Sequence, residues 1–307
     1  MKTFKFLSNT ALVFSLVMLA SCSSDNDFDA ENEADAENEA KTTARKIEFK
    51  ANIVLGDSTD VTRATLESDN NVTWDENDQI LVFCDNAEQA VTFGITPSSI
   101  DGKTATFTNY GEVLPLWFDP WNYYYALYPH ASQTTFIPES YSITSLMPTN
   151  QYVSSGRTYD KNALLMVACA DKDERIFNFK NIPSLVKVTI SNNVAGKVKF
   201  VEIVADNQAN RLSGNFEVRP AYNSDNINFF ASSSAEKKHT VKLQVPANEE
   251  SVDYYIAVLP SKINGYTIKF EGADSKVVFQ RHSSKTLELK RSKIYNFGSF
   301  DIDTEVK

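Results

Sequence analysis

From Lys46 the chain alternates. Ile47, Phe49, Ala51 and Ile53 fall on one side, and Glu48, Lys50 and Asn52 on the other. That period of two predicts a strand with one buried face. A polar, turn-rich stretch follows, GDSTDVTRATLESDNN, with Arg63 inside it. A second strand is predicted at Ile80–Phe83, led in by Trp74 and Asp78. Short apolar or alternating runs then recur between turn signals, at Ala90–Phe93, Thr104–Thr108, Tyr123–Tyr128, Val186–Ile190, Lys199–Val204, Val241–Val245, Tyr254–Leu259, Tyr266–Phe270, Lys276–Gln280, Leu287–Leu289 and Ile294–Phe297. No long stretch keeps the 3.6-residue period of a helix. The pattern predicts an all-β chain built of β-sandwiches. The charge-dense segment Asp171–Arg175 reads as a junction, which divides the body into residues 46–170 and 171–307.

The alternation does not reach the N-terminus. Lys2 and Lys5 precede a short apolar run from Ala11 to Ala20, too short to span a bilayer, so residues 1–21 read as a secretory signal. The run ends in Leu19-Ala20-Ser21-Cys22, which resembles the lipobox of bacterial lipoproteins. That resemblance implies cleavage before Cys22, palmitate-type acylation of Cys22 and anchoring in the outer membrane; several acyl chains hold where one is marginal. Every odd position from Asp25 to Glu39 is acidic, and AENEA occurs twice. Such a segment repels itself and lacks the apolar surface to order, so residues 22–45 are expected to be a disordered tether. It also resembles the surface-export signal of Bacteroidetes lipoproteins.

The tether accounts for most of the net charge of −10. Without it and the signal, the body carries 28 basic against 32 acidic residues. A weakly acidic body with no basic cluster argues against a nucleic-acid partner. Chemistry is equally sparse. His130, His239 and His282 lie far apart in no metal-ligand spacing, and no phosphate loop, nucleophile elbow or zinc-helix motif occurs. Asp25, Asp27 and Asp29 lack the glycine and terminal glutamate of a calcium loop. No residue argues for an enzyme, a metal or a cofactor. Cys84 and Cys169 lie beside strand-like runs and read as buried free thiols. The densest aromatic stretch is Trp117, Phe118, Trp121, Tyr123, Tyr124, Tyr125 and Tyr128. Alternation sends much of it into a core. Trp117 and Trp121 are the residues that would stack on a sugar, had the chain a glycan-binding role in nutrient uptake.

An ordered set of weak motifs carries a family resemblance. Thr62-Arg63-Ala64-Thr65 is followed by VTWDENDQI at 72–80, YYALYP at 124–129, LLMVA at 164–168, FNFKN at 177–181 with Val186-Lys187-Val188, Leu212-Ser213-Gly214, and KIYNF at 293–297. With the lipobox and acidic tether, the body resembles the fimbrillins of Bacteroidales, pilus subunits assembled with the help of a protease. Asn77 departs from the glycine common in that turn.

The resemblance implies tandem transthyretin-like sandwiches, an arginine-specific protease, and other fimbrillin subunits as partners through donor-strand exchange. Carried onto this chain, Arg63-Ala64 is the scissile bond, and Lys46–Leu55 the removed strand, with Ile47, Phe49, Ala51 and Ile53 its inward face. Arg45-Lys46 is the runner-up bond, but a cut there leaves the strand in place. After Phe300 only a short polar tail remains, little for a donor, so a tip or accessory subunit in cell adhesion is expected over a stalk subunit.

Overall fold

The alternation that begins at Lys46 becomes β1 (Glu48–Val54), whose Phe49, Ala51 and Ile53 are buried while Glu48 and Lys50 face solvent. The computed structural model describes residues 46–54, 73–109, 120, 122–131, 133–153, 156–191, 197–224, 227–230, 237–246 and 251–301. After β1 come β2 (Gln79–Cys84), β3 (Ala87–Ile95), β4 (Thr104–Asn109), β5 (Tyr123–Tyr128), β6 (Thr135–Ile137), β7 (Ser142–Met147), β8 (Asn150–Tyr152), β9 (Met166–Asp171) and β10 (Ile176–Asn181). The second half holds β11 (Ser184–Ile190), β12 (Phe200–Ala205), β13 (Ser213–Pro220), β14 (Ile227–Phe230), β15 (Lys237–Lys238), β16 (Thr240–Gln244), β17 (Val252–Val258), β18 (Ser261–Glu271), β19 (Val277–Leu289) and β20 (Ile294–Phe300). The only helical elements among the described residues are single 3₁₀ turns.

The all-β expectation holds, but the first half differs from a transthyretin-like sandwich. Seven strands close into a barrel in the order β1-β10-β9-β5-β2-β3-β4, and β1 returns to β4. Closure follows from β1 pairing on both sides, which leaves that sheet no free edge. The chain leaves the barrel after β5. β7 pairs with β6 and β13, β14 lies beyond β13, and β15 pairs with β13 on a side branch to complete that five-stranded sheet; β8 pairs in parallel with β16. The charged stretch Asp171–Arg175 turns β9 into β10, with Arg175 at φ 52 and its N–H on the Asp171 carbonyl at 3.0 Å. The barrel therefore continues to Asn181.

Two hydrophobic cores result. The first fills the barrel and takes Phe136, Ile143, Met147, Phe216 and Val218 from the sheet beside it. The second lies between the sheet β17-β11-β20 and the sheet β19-β18-β12-β16-β8. The three-stranded sheet partitions the two. Along β11, Leu185 faces the first core and Val186, Val188 and Ile190 the second. Along β17, Tyr255 and Ala257 face the first, and Tyr254, Ile256 and Val258 the second. A strand's side-chain period of two makes one sheet serve both.

Candidate functional site

β1 is held as an interior strand. It runs antiparallel to β4, from Glu48 opposite Thr108 to Asn52 opposite Thr104, and parallel to β10, from Lys50 opposite Ile176 to Val54 opposite Lys180. Three backbone groups add bonds at its ends and middle. The Ile47 N–H donates to the buried Asn109 Oδ1 at 2.8 Å, Lys50 N–H to the Arg175 carbonyl at 3.1 Å, and Ile53 N–H to the Lys103 carbonyl at 2.9 Å.

The inward face brings together all four residues that alternation singled out. Ile47, Phe49, Ala51 and Ile53 are at most 5 % exposed. Phe49 sits in an aromatic box: its ring stacks on Phe177 at 4.7 Å and meets Tyr124 at 4.8 Å and Phe93 at 5.1 Å edge to face. Ala51 lies opposite Ala105 on one side and Phe177 on the other. Outside the barrel, the Asn52 amide donates to Asn178 at 2.9 Å. Burial of the three large side chains contributes roughly 5–9 kcal/mol.

Trp74 anchors the segment that leads into β2. Trp74 is buried against Phe107 of β4, Tyr128 of β5 and Phe179 of β10, at 5.0, 5.2 and 5.6 Å, and its indole N–H donates to the Lys103 carbonyl at 2.9 Å. The next residues clamp. Asp75 pairs with Arg157 and Lys161, while Asp78 pairs with Lys161 at 2.7 Å and accepts from the Tyr128 hydroxyl at 3.1 Å. Partial burial pushes the Asp75 carboxyl up, but the Lys161 and Arg157 charges more than offset this and hold it below the usual carboxylate range. Burial, then the Asp78 charge, raise the Tyr128 phenol, so it stays a donor.

Other expected sites are dispersed or lie elsewhere. Cys22, Arg45, Arg63, Ala64, Trp117 and Trp121 fall outside the described residues. Lys46 is exposed. Tyr124, Tyr125 and Tyr128 are core residues and Tyr123 is half-buried. Cys84, buried on β2, and Cys169, half-buried on β9, form no disulfide, and β5 lies between them. Two strand spacings of about 5 Å each put them beyond disulfide reach. Burial, then the Asp85 charge, push the Cys169 thiol up to about 12. No cluster of metal-ligating side chains occurs among the described residues, and none of their helices is long and apolar enough to cross a membrane. Asn109 and the pair Arg157 and Lys161 are the residues that pattern reading missed, and Trp74 stood out only as the lead into β2. Asn109 sits 62 positions from Ile47, with no local signal linking them.

A fimbrillin-like family profile matches residues 62–299. The chain belongs to the fimbrillin-like family. The match begins beyond β1, which stands N-terminal to the shared region of this fimbrillin-like chain. Among solved structures, a candidate cell adhesion protein from Bacteroides ovatus aligns at 14 % identity and TM-score 0.46, covering 82 % of this chain and 91 % of that one. A fimbrial protein from the same organism aligns at 18 % and 0.32, covering 75 % and 44 %. The tip fimbrial protein Mfa3 of Porphyromonas gingivalis aligns at 10 % and 0.29, covering 78 % and 81 %. A search of curated proteins found no match.

Proposed function

We propose that this fimbrillin-like chain is a surface lipoprotein, held in the outer membrane through Cys22, that becomes a tip or accessory subunit of an adhesive pilus. An arginine-specific protease cuts Arg63-Ala64. β1 then leaves, and a strand from another subunit takes its place. The role is structural rather than enzymatic.

The observation that carries this reading is the pairing of β1 with β4 on one edge and β10 on the other. Residues 55–72, with Arg63 among them, are its only covalent link to the body. Without β1 the barrel has two unpaired edges and an apolar slot between them, a surface that accepts an extended segment. Trp74 and the Asp75–Lys161 clamp lie C-terminal to the cut and stay with the body. A cut at Arg45 leaves β1 joined and the slot closed.

Arginine-specific proteolysis of the full chain tests the reading. The expected product starts at Ala64 and releases β1 when a competing strand is offered. Arg63→Ala abolishes the cut, and the cut chain alone forms no fibres. A stable first residue at Lys46, or fibres of the cut chain by itself, overturns respectively the displacement step and the tip or accessory role. The glycan-binding alternative rests on Trp117 and Trp121, which lie outside the described residues.

A further inference from the structure

We infer that the slot under β1 sorts incoming strands by the order of their side-chain sizes, and that its occupant is a segment of a separate polypeptide reading aliphatic, aromatic, small, aliphatic at alternate positions. This rests on the replacement of β1 proposed above and goes on to say which strands qualify.

Each position has its own wall. The second inward site is the box around Phe49, made by Phe177, Phe93 and Tyr124 from β10, β3 and β5. A side chain shorter than an aromatic ring leaves those three rings facing a void, which closed cores do not tolerate. The third site is shallow. Ala51 is fully buried and stands in register with Ala105 on β4 and with Phe177 on β10, whose ring is already stacked on Phe49. A large group there meets Phe177 and forces it off its partner. The first and fourth sites hold Ile47 and Ile53, buried at 0 % and 5 % exposure. The backbone adds a second filter. The N–H groups of residues 47, 50 and 53 are received by Asn109, Arg175 and Lys103, so proline is barred from those three positions. The outward positions, with Asn52 in an exposed amide pair, set little.

The order is rare within the chain. Ile47-x-Phe49-x-Ala51-x-Ile53 is the one stretch of the sequence that carries it. β20 offers Tyr295, Phe297 and Ser299 and breaks it at both aliphatic ends. The occupant we assign is therefore foreign to these residues.

The experiment uses the full chain cut at Arg63 and a fluorescein-labelled peptide of residues 46–55, KIEFKANIVL. Three variants accompany it: Phe49→Ala, Ala51→Phe, and the composition-matched exchange carrying both. Entry is read by anisotropy, and release of the native strand by mass spectrometry. The native peptide is expected to enter and expel the resident strand. Each variant, the exchange included, is expected to bind weaker by on the order of tenfold or more. Entry of the native peptide with all variants within about twofold of it overturns the size order and leaves strand replacement standing. No entry of the native peptide into cut chain overturns replacement and the size order together. Because the body is unchanged throughout, misfolding of a variant cannot mimic either result.

Discussion

At the scale of single residues, Phe49 and Asp75 do different work. Phe49 is fully buried and touches three rings, so Phe49→Ala in the uncut chain is expected to cost about 3–5 kcal/mol in urea unfolding. Lys50→Ala, on the outward face, should stay within about 0.5 kcal/mol. Asp75 acts through charge. Its folded-state affinity for protons is depressed, so the stability it adds is fully present above the ordinary aspartate value of 3.8 and fades as pH falls through the folded value. The gap in urea midpoint between wild type and Asp75→Asn should be widest at pH 7 and narrow toward about pH 2.5. A gap that is constant or widens at low pH means the ion pairs with Arg157 and Lys161 are not its source. The inward set on β1 was legible because four apolar and three polar positions alternate without a break. Asn109 was not, because a lone amide 62 positions away leaves no periodic trace.

At the scale of elements, Trp74 ties together strands that flank β1. Its ring reaches Phe107 on β4 and Phe179 on β10. After cleavage, this contact should keep those strands apart by one strand's width. Trp74→Ala is expected to destabilise the uncut chain by about 3–5 kcal/mol. In the cut chain it should also speed loss of β1, seen as faster amide exchange along β4 and β10, with Trp74→Phe restoring part of the protection. Equal exchange in wild type and Trp74→Ala would remove the tie from the account. Most strands were legible as elements, since their alternation is local. Their partners were not. Nothing in Ser142–Met147 says that β7 abandons the barrel for β13, and Asp171–Arg175, which reads as a junction by its charge, is a hairpin turn because β10 must return beside β9 and β1.

At the scale of the whole β-body, the partition sheet joins the two cores. β11 and β17 give alternate side chains to each, so neither core can melt without stripping one face of the other's wall. A single calorimetric transition is expected, with Val188→Ala in the second core and Phe177→Ala in the first both shifting that one transition; two separable peaks would mean that the halves melt independently. The closed barrel escaped sequence reading for the same reason as the strand partners: closure is a property of β1's two edges, and edges have no residue signature. One feature of that barrel reaches beyond the molecule. The sites beneath β1 are not a palindrome, for the aromatic box precedes the shallow site when read along β10. A ribbon laid in backwards would press its ring onto Phe177 where Ala51 now lies. Whatever chain is threaded there has a compulsory heading, and a row of such joints would be vectorial, with a leading end unlike its trailing end.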